Sequence, residues 1–223
     1  MAQDYLPPGW QRRQTSPFTQ VDSNESDKLY FKLYRPISPL ASLRNKLRGS
    51  PALRSIKNGK ALAYAGFSAP EIIHSGTVAG IGEFVFTKRI EADSLAACLT
   101  VSTLEPSTLR KKRQLLQAVG ITLGRLHNSG FVHSKLAADN ILVSDADDRF
   151  DIILMNNEDM IRKETPSGRA LAKELSRLNI SLPASVSRTD RLRLFGAWRR
   201  QMRSLEDVEA AILTREIYTR RLP

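Results

Sequence analysis

Cysteine is almost missing from this 223-residue chain: Cys98 stands alone. Neither an intramolecular disulfide nor a cysteine-built zinc cluster can form. A single thiol suits a reducing compartment and reads as a small apolar core residue. Histidine is nearly as scarce, with His74, His127 and His133, which argues against a His-rich metal centre. No apolar run approaches the ~20 residues a membrane span requires. The opening MAQDYLPPGWQRR has no apolar segment of signal-peptide type. Aromatics make up 7%, and neither zinc-finger spacing nor an aromatic RNA-binding motif is present, so nucleic acid is disfavoured as a partner. The chain shows no internal repeat and no low-complexity tract. The expectation is a cytoplasmic protein, peripheral at most to the inner face of a membrane.

What is present is basic charge and enough apolar residue for a core. Apolar residues reach 41%, and 34 Lys+Arg against 23 Asp+Glu give a formal charge of +11, with a pI near 10.1. Such a balance points to anionic partners. Nine basic residues and no acidic one fall between Lys28 and Tyr64, among them Lys32, Arg54, Lys57 and Lys60. Six arginines and one aspartate fall between Arg188 and Arg203. Blocks like these suit phosphate or anionic-lipid contact, and equally a solvated, solubilising face.

Periodicity sets the organisation. LYFKLYR (29–35) alternates as a strand, ended by Pro36 and Pro39. The preceding VDSNESDK reads as a hairpin loop. Residues 40–65 predict helical stretches interrupted at Gly49, Pro51 and Gly59. Two strands follow, EIIHSGTVAG and GEFVFTKRI, and then a short helix over 94–99. Residues 107–128 give the clearest helix, with Leu116, Val119, Leu123 and Leu126 at 3–4 spacing and Gly130 as its stop. Gly120 and Gly124 allow close packing on another of its faces. His127, in its last turn, reads as a residue favoured by the helix dipole. Apolar runs at 141–143 and 150–155 flank the acidic turn SDADDR as a second hairpin. Helices are expected over 167–178, 190–202 and 205–218. The order predicts an α+β fold: a polar N-terminal segment with a first hairpin (1–27), a small sheet lobe (28–90) and a helical lobe (91–223).

The segment LHNSGFVHSKLAADNILV (126–143) carries the functional signal. A helix ends in Leu-His, a glycine breaks it, an apolar residue precedes His133, and Asn140 follows seven residues later. This resembles the kinase catalytic loop H-x-D-L-x-x-x-N, with His133, Leu136 and Asn140 in register. Lys32 falls where a third-strand lysine would hold the α/β-phosphates. GFSAP (66–70) is similar to the turn after the first helix of small-molecule kinases, and FVFTKRI (84–90) to the strand entering the interlobe hinge. The tail from Gly168 to Met202 resembles that of the lipopolysaccharide core kinases, which phosphorylate heptose or Kdo sugars on lipid A–core. The resemblance covers roughly 28–203. It implies a minimal, two-lobed protein-kinase-like fold and an ATP- and Mg²⁺-dependent phosphotransferase ancestry.

The chain departs from that pattern at the chemistry. Lys135 occupies the position of the catalytic Asp, and Asn156 that of the Mg²⁺-binding Asp. The first helix has no glutamate to pair with Lys32, and PFTQVDSNESD has no glycine with which to cover phosphates. An ammonium cannot act as the general base that the aspartate provides, and a neutral amide brings no charge to Mg²⁺. The candidate catalytic positions are therefore Lys135 and His133. Lys32, Asn140 and Asn156 are the candidate cofactor-binding residues. Asn140 and Asn156 are the candidate metal ligands, with Glu158 as a substitute acid. His133 is expected to be structural, and Lys32 to point into the cleft within reach of Asn140 and Asn156. With no helix glutamate beside Lys32, the cleft is expected to be electropositive.

Three functions follow from these residues. One is a degenerate kinase serving as a binding or regulatory module in cell-envelope biogenesis, with ATP and Mg²⁺ bound weakly or not at all. Another is an active phosphotransferase on a lipid-linked sugar. The last is a basic membrane-surface or nucleic-acid binder on a kinase scaffold. The expected partners are a lipid-linked phosphorylated sugar, another anionic ligand or an acidic protein, with peripheral membrane contact. Trp198 reads as a packed helix anchor; Trp10 has no assignable role.

Overall fold

A computed structural model describes residues 6–35, 49–100, 106–146, 149–202 and 205–219. Arg44, Lys46, Arg48 and Arg203 of the two basic blocks lie outside these. The first part of the chain builds β1 (Trp10–Thr15), β2 (Thr19–Asn24), β3 (Leu29–Tyr34), α1 (Pro51–Tyr64), β4 (Ile72–Val78) and β5 (Gly82–Lys88). The strands form one sheet in the order β1-β2-β3-β5-β4, and each neighbouring pair is antiparallel. Strands β1 and β2, before residue 28, pair directly into this sheet.

Alternation along β3 and β5 separates two faces. Tyr34 and Val85 pack with Ala52 of α1, so this face also carries Lys32, which is paired in register with Val85. The opposite face gathers Trp10, Phe31, Phe84 and Phe86 in tilted and edge-on ring contacts, which gives Trp10 its place. Helix α1 runs unbroken through Gly59, contrary to the interrupted helix the sequence suggests. Pro51 opens it instead of breaking it, because its missing N–H costs nothing in a first turn, and the Ser50 side chain accepts from the Leu53 N–H.

The second lobe contains β6 (Asp93–Ser94), α2 (Leu95–Thr100), α3 (Pro106–Asn128), β7 (Phe131–His133), β8 (Ile141–Ala146), β9 (Arg149–Leu154), β10 (Met160–Arg162), α4 (Gly168–Ser181), α5 (Arg188–Gln201) and α6 (Asp207–Thr219). Its core centres on α3, whose Leu116, Val119, Leu123 and Leu126 are fully buried. Strands β8 and β9 form the second hairpin, with β6 along its edge, while β7 pairs with β10. The lobe therefore adds to its helices two small antiparallel sheets, β6-β8-β9 and β7-β10, which with their connections carry His133, Asn140 and Asn156.

Two glycines of α3 seat α5. A methyl group on Gly120 would lie 2.2 Å from the Leu194 carbonyl oxygen, and one on Gly124 would lie 2.4 Å from Gln201 Cβ. Beside this seam, His127 lies in the last turn of α3, as expected. It is buried, its Nδ1 accepts the Trp198 indole N–H at 2.8 Å, and its Nε2 lies 3.3 Å from the buried Glu174 carboxylate. The sequence missed this because the pairing joins residues distant along the chain. Trp198 is itself 1% exposed and anchors α5. Cys98 is partly buried against the core, and burial raises its thiol above the ordinary value. Among the described residues no helix is long and apolar enough to cross a membrane.

Candidate functional site

The loop between β7 and β8 is fixed from several directions. His133 is fully buried. Its Nδ1 accepts the Lys135 backbone N–H at 3.2 Å, so its Nε2 carries the proton and donates to the Met155 carbonyl at 2.8 Å. Asn140 Nδ2 donates to the Lys135 carbonyl at 2.9 Å. Arg177 of α4 donates to the Ser134 carbonyl. The Ser134 hydroxyl donates to the Asp159 carbonyl at 2.9 Å, and Leu136 is buried beneath the loop. The sequence marked His133, Leu136 and Asn140; it gave no sign of Arg177, which reaches the loop from another helix.

Strand β9 ends at Leu154. Asn156 then takes a left-handed backbone conformation (φ 56°), which asparagine tolerates better than most residues. That turn delivers a one-turn 3₁₀ helix, Asn157–Asp159, to the cleft. Lys32 reaches it from the sheet. Its Nζ donates to Asn156 Oδ1 at 2.7 Å, and Asn156 Nδ2 donates to Asn140 Oδ1 at 2.7 Å. The three residues singled out for phosphate and metal binding therefore form one continuous hydrogen-bonded chain across the two lobes.

Two carboxylates change the electrostatics expected of this cleft. Lys32 forms an ion pair with Glu158, and Lys135 forms one with Asp159 at 3.1 Å. The expectation that Lys32 lacks an acidic partner, leaving the cleft electropositive, is therefore corrected. The acid missing from α1 arrives instead from the turn after β9. Helix α1 supplies the fixings for that turn. Arg54 Nε donates to the Glu158 carbonyl at 3.1 Å, and Asn58 Nδ2 donates to the Asn157 and Met160 carbonyls at 2.7 and 3.0 Å. Arg54 belongs to the basic block, yet here it bonds to backbone and not to an outside anion. Burial, and then the negative charge of Glu158, push the neighbouring Tyr34 phenol far above its ordinary value.

In this arrangement the Lys32 ammonium stands among the oxygens that would have to hold Mg²⁺. Both amide oxygens already accept hydrogen bonds, one of them from the Lys32 ammonium, and Glu158 is bound to that same ammonium. A hard cation needs several free oxygen ligands. Asp139 is exposed beside Asn140, and Asp151 accepts from the Ser68 hydroxyl at 2.6 Å, on the far side of β9. What the cleft does offer chemically is two lysines held in ion pairs, one partly buried and one mostly exposed, which an incoming anion can address by displacing a carboxylate.

Comparison with known proteins places this geometry. The family model described as lipopolysaccharide kinase (Kdo/WaaP) matches residues 11–198. No curated protein matches the sequence. Among solved structures, WaaP in complex with acyl carrier protein superposes with a TM-score of 0.67 at 17% identity, covering 93% of this chain and 87% of that one. WbdD superposes with a TM-score of 0.56 at 18% identity, covering 94% of this chain and 50% of the WbdD chain. At these identities the likeness establishes the two-lobed, protein-kinase-like fold.

Proposed function

From the premise that the chain belongs to the lipopolysaccharide kinase (Kdo/WaaP) family, we propose that it is a degenerate kinase: a binding or regulatory module of cell-envelope biogenesis that does not transfer phosphate at an enzymatic rate. The observation that carries this reading is the Lys135–Asp159 ion pair at the position of the catalytic base. A protonated lysine there cannot take the proton of an attacking hydroxyl, and loss of a general base typically costs about 10²–10⁴-fold. The Lys32–Glu158 pair does not separate the readings, because active kinases also pair this lysine with a glutamate. In the degenerate reading ATP and Mg²⁺ bind weakly or not at all. The natural ligand is an anion: a phosphorylated, lipid-linked sugar reached by peripheral membrane contact, or an acidic protein. That WaaP forms a complex with acyl carrier protein is consistent with a protein partner for this chain.

One observation favours activity. Glu158 and Asp159 both sit on the turn that faces the cleft, so two acids are at hand if each leaves its lysine. Thermal shift with ATP, with and without Mg²⁺ or Mn²⁺, separates the readings, together with phosphoryl transfer from ATP to lipopolysaccharide core, read as ADP formed and core phosphorylated. The degenerate reading expects no metal-dependent shift in the native chain. It expects a gain of metal dependence in Lys135→Asp/Asn156→Asp. Turnover near ~1 s⁻¹, an ordinary enzymatic rate, overturns it.

A further inference from the structure

Helix α1 touches the cleft with one side only. Its other side, with the edge strand β4, encloses a groove of about 490 Å³ that no part of the cleft enters. The floor is apolar, made by Ile56 and Ala63 of α1 and by Pro70 and Ile72, with Lys60 at its rim. Tyr64 at the end of α1 is 97% exposed and Ile73 of β4 is 54% exposed. Strand β4 ends the sheet order, and from His74 to Val78 its ladder to β5 is regular. Among the described residues its other edge has no strand partner.

The charge on the α1 side of the groove is of one sign. No acidic residue occurs between Lys28 and Pro70. Lys57 and Lys60 are exposed on α1, and among the described residues no ion pair engages either. Glu71, at the groove's end, faces Lys88 at 3.9 Å. We propose that this groove docks an extended, acidic segment of a partner protein, its backbone adding to the edge of β4, its apolar side chains filling the groove and its carboxylates meeting Lys57 and Lys60. The concave shape and the free strand edge select a polypeptide over a flat anionic membrane, which would meet the lysines but leave the groove empty. The proposal needs neither nucleotide nor the ion pairs of the cleft, so it stands or falls apart from the degenerate-kinase reading. It has one consequence for the cleft: a segment gripping α1 holds the helix whose Arg54 and Asn58 fix the turn bearing Glu158.

A displayed library of random 16-residue peptides, selected on the full chain, tests it. The expected result is enrichment of sequences that alternate apolar and acidic residues. Their affinity should fall at least 10-fold in Lys57→Glu/Lys60→Glu, and likewise in Ala63→Trp, which plugs the groove from an exposed helix position. It should be unchanged in Lys173→Glu, a charge reversal on α4, with melting temperatures confirming that each variant is folded. Failure to enrich such sequences overturns the proposal. So does binding that Ala63→Trp leaves intact. Vesicles of anionic phospholipid form the other arm: binding to them that is lost in the double lysine variant but kept in Ala63→Trp identifies a membrane surface and also overturns it.

Discussion

The seam between α3 and α5 and the cleft between the lobes are both places where distant parts of the chain meet, and they are held in different ways. The seam is kept by size. Gly120 and Gly124 bring two backbones together, and no other side chain fits there. The cleft is kept by contact and not by identity. Lys32 still has an acidic partner, but the acid comes from the turn after β9 and not from α1. Close packing tolerates little change because a misplaced atom has nowhere to go. An ion pair can change its supplier, because charge acts over several ångströms and a long side chain can arrive from another element. A fold can therefore survive while the chemistry of its cleft is rearranged.

The seam offers the larger effect. Gly120→Val would place side-chain atoms into the Leu194 carbonyl, which lies only 2.2 Å from the first added carbon. Overpacking against backbone costs about 3 kcal/mol, or a fall in Tm of about 6–12 °C for a chain of this length. Calorimetry checks it, and a fall of less than about 2 °C would show that the helices separate at little cost.

The cleft should respond less, and in two directions at once. Glu158→Ala leaves the Lys32 ammonium, 17% exposed, with its Asn156 hydrogen bond and the Tyr34 ring but no carboxylate. The expected loss is about 2 kcal/mol, between the values for surface and buried pairs. A double-mutant cycle with Lys32→Ala should return a coupling of about 1–2 kcal/mol. Freeing Lys32 should also raise affinity for ATP or pyrophosphate by about 10-fold, measured by calorimetric titration. A variant less stable and no better at binding anions would mean that Glu158 does not compete with a ligand for Lys32.

This contrast also explains what the sequence discloses. The apolar period of residues 107–128, the Gly120/Gly124 spacing and the His133–Asn140 register are local patterns that each report one element, and together they specify the second lobe. The alignment of Lys32, Asn140 and Asn156 follows from the resemblance, since three separate motifs had to converge. The pairing of Lys32 with Glu158 could not be read, because it depends on the left-handed turn at Asn156 and on Arg54 and Asn58 gripping the carbonyls of Asn157, Glu158 and Met160. Counting acids in the first helix gives the wrong charge for the cleft: the acid that matters lies more than 120 residues away in the chain. The burial of His127 is hidden for the same reason, since Trp198 and Glu174 come from two other helices.

The smallest effect belongs to a polar contact of the seam lobe itself, where charge and packing cooperate. Ser187 caps α5 by accepting from the Asp190 N–H at 3.2 Å, and its hydroxyl donates to Asp190 Oδ2 at 2.8 Å. Lys112 of α3 lies 3.4 Å from the same oxygen, and Arg193 is 2.9 Å from Oδ1. Against the penalty of burial, the Ser187 hydroxyl and the Lys112 ammonium hold Asp190 below the usual carboxylate range. A depressed folded-state value means that the ionised form stabilises the fold above the unfolded value of about 3.9, and that this contribution disappears as pH falls through the folded value. Asp190→Asn should therefore cost about 1 kcal/mol at neutral pH, in the range of a lost cap or a charged hydrogen bond. The gap between native and variant should close as pH drops below about 4. Denaturant titrations of both proteins from neutral to acidic pH check this. A gap that stays constant through that window would assign the contribution of Asp190 to shape and hydrogen bonding alone, and would remove charge from the account of how α3 and α5 are joined.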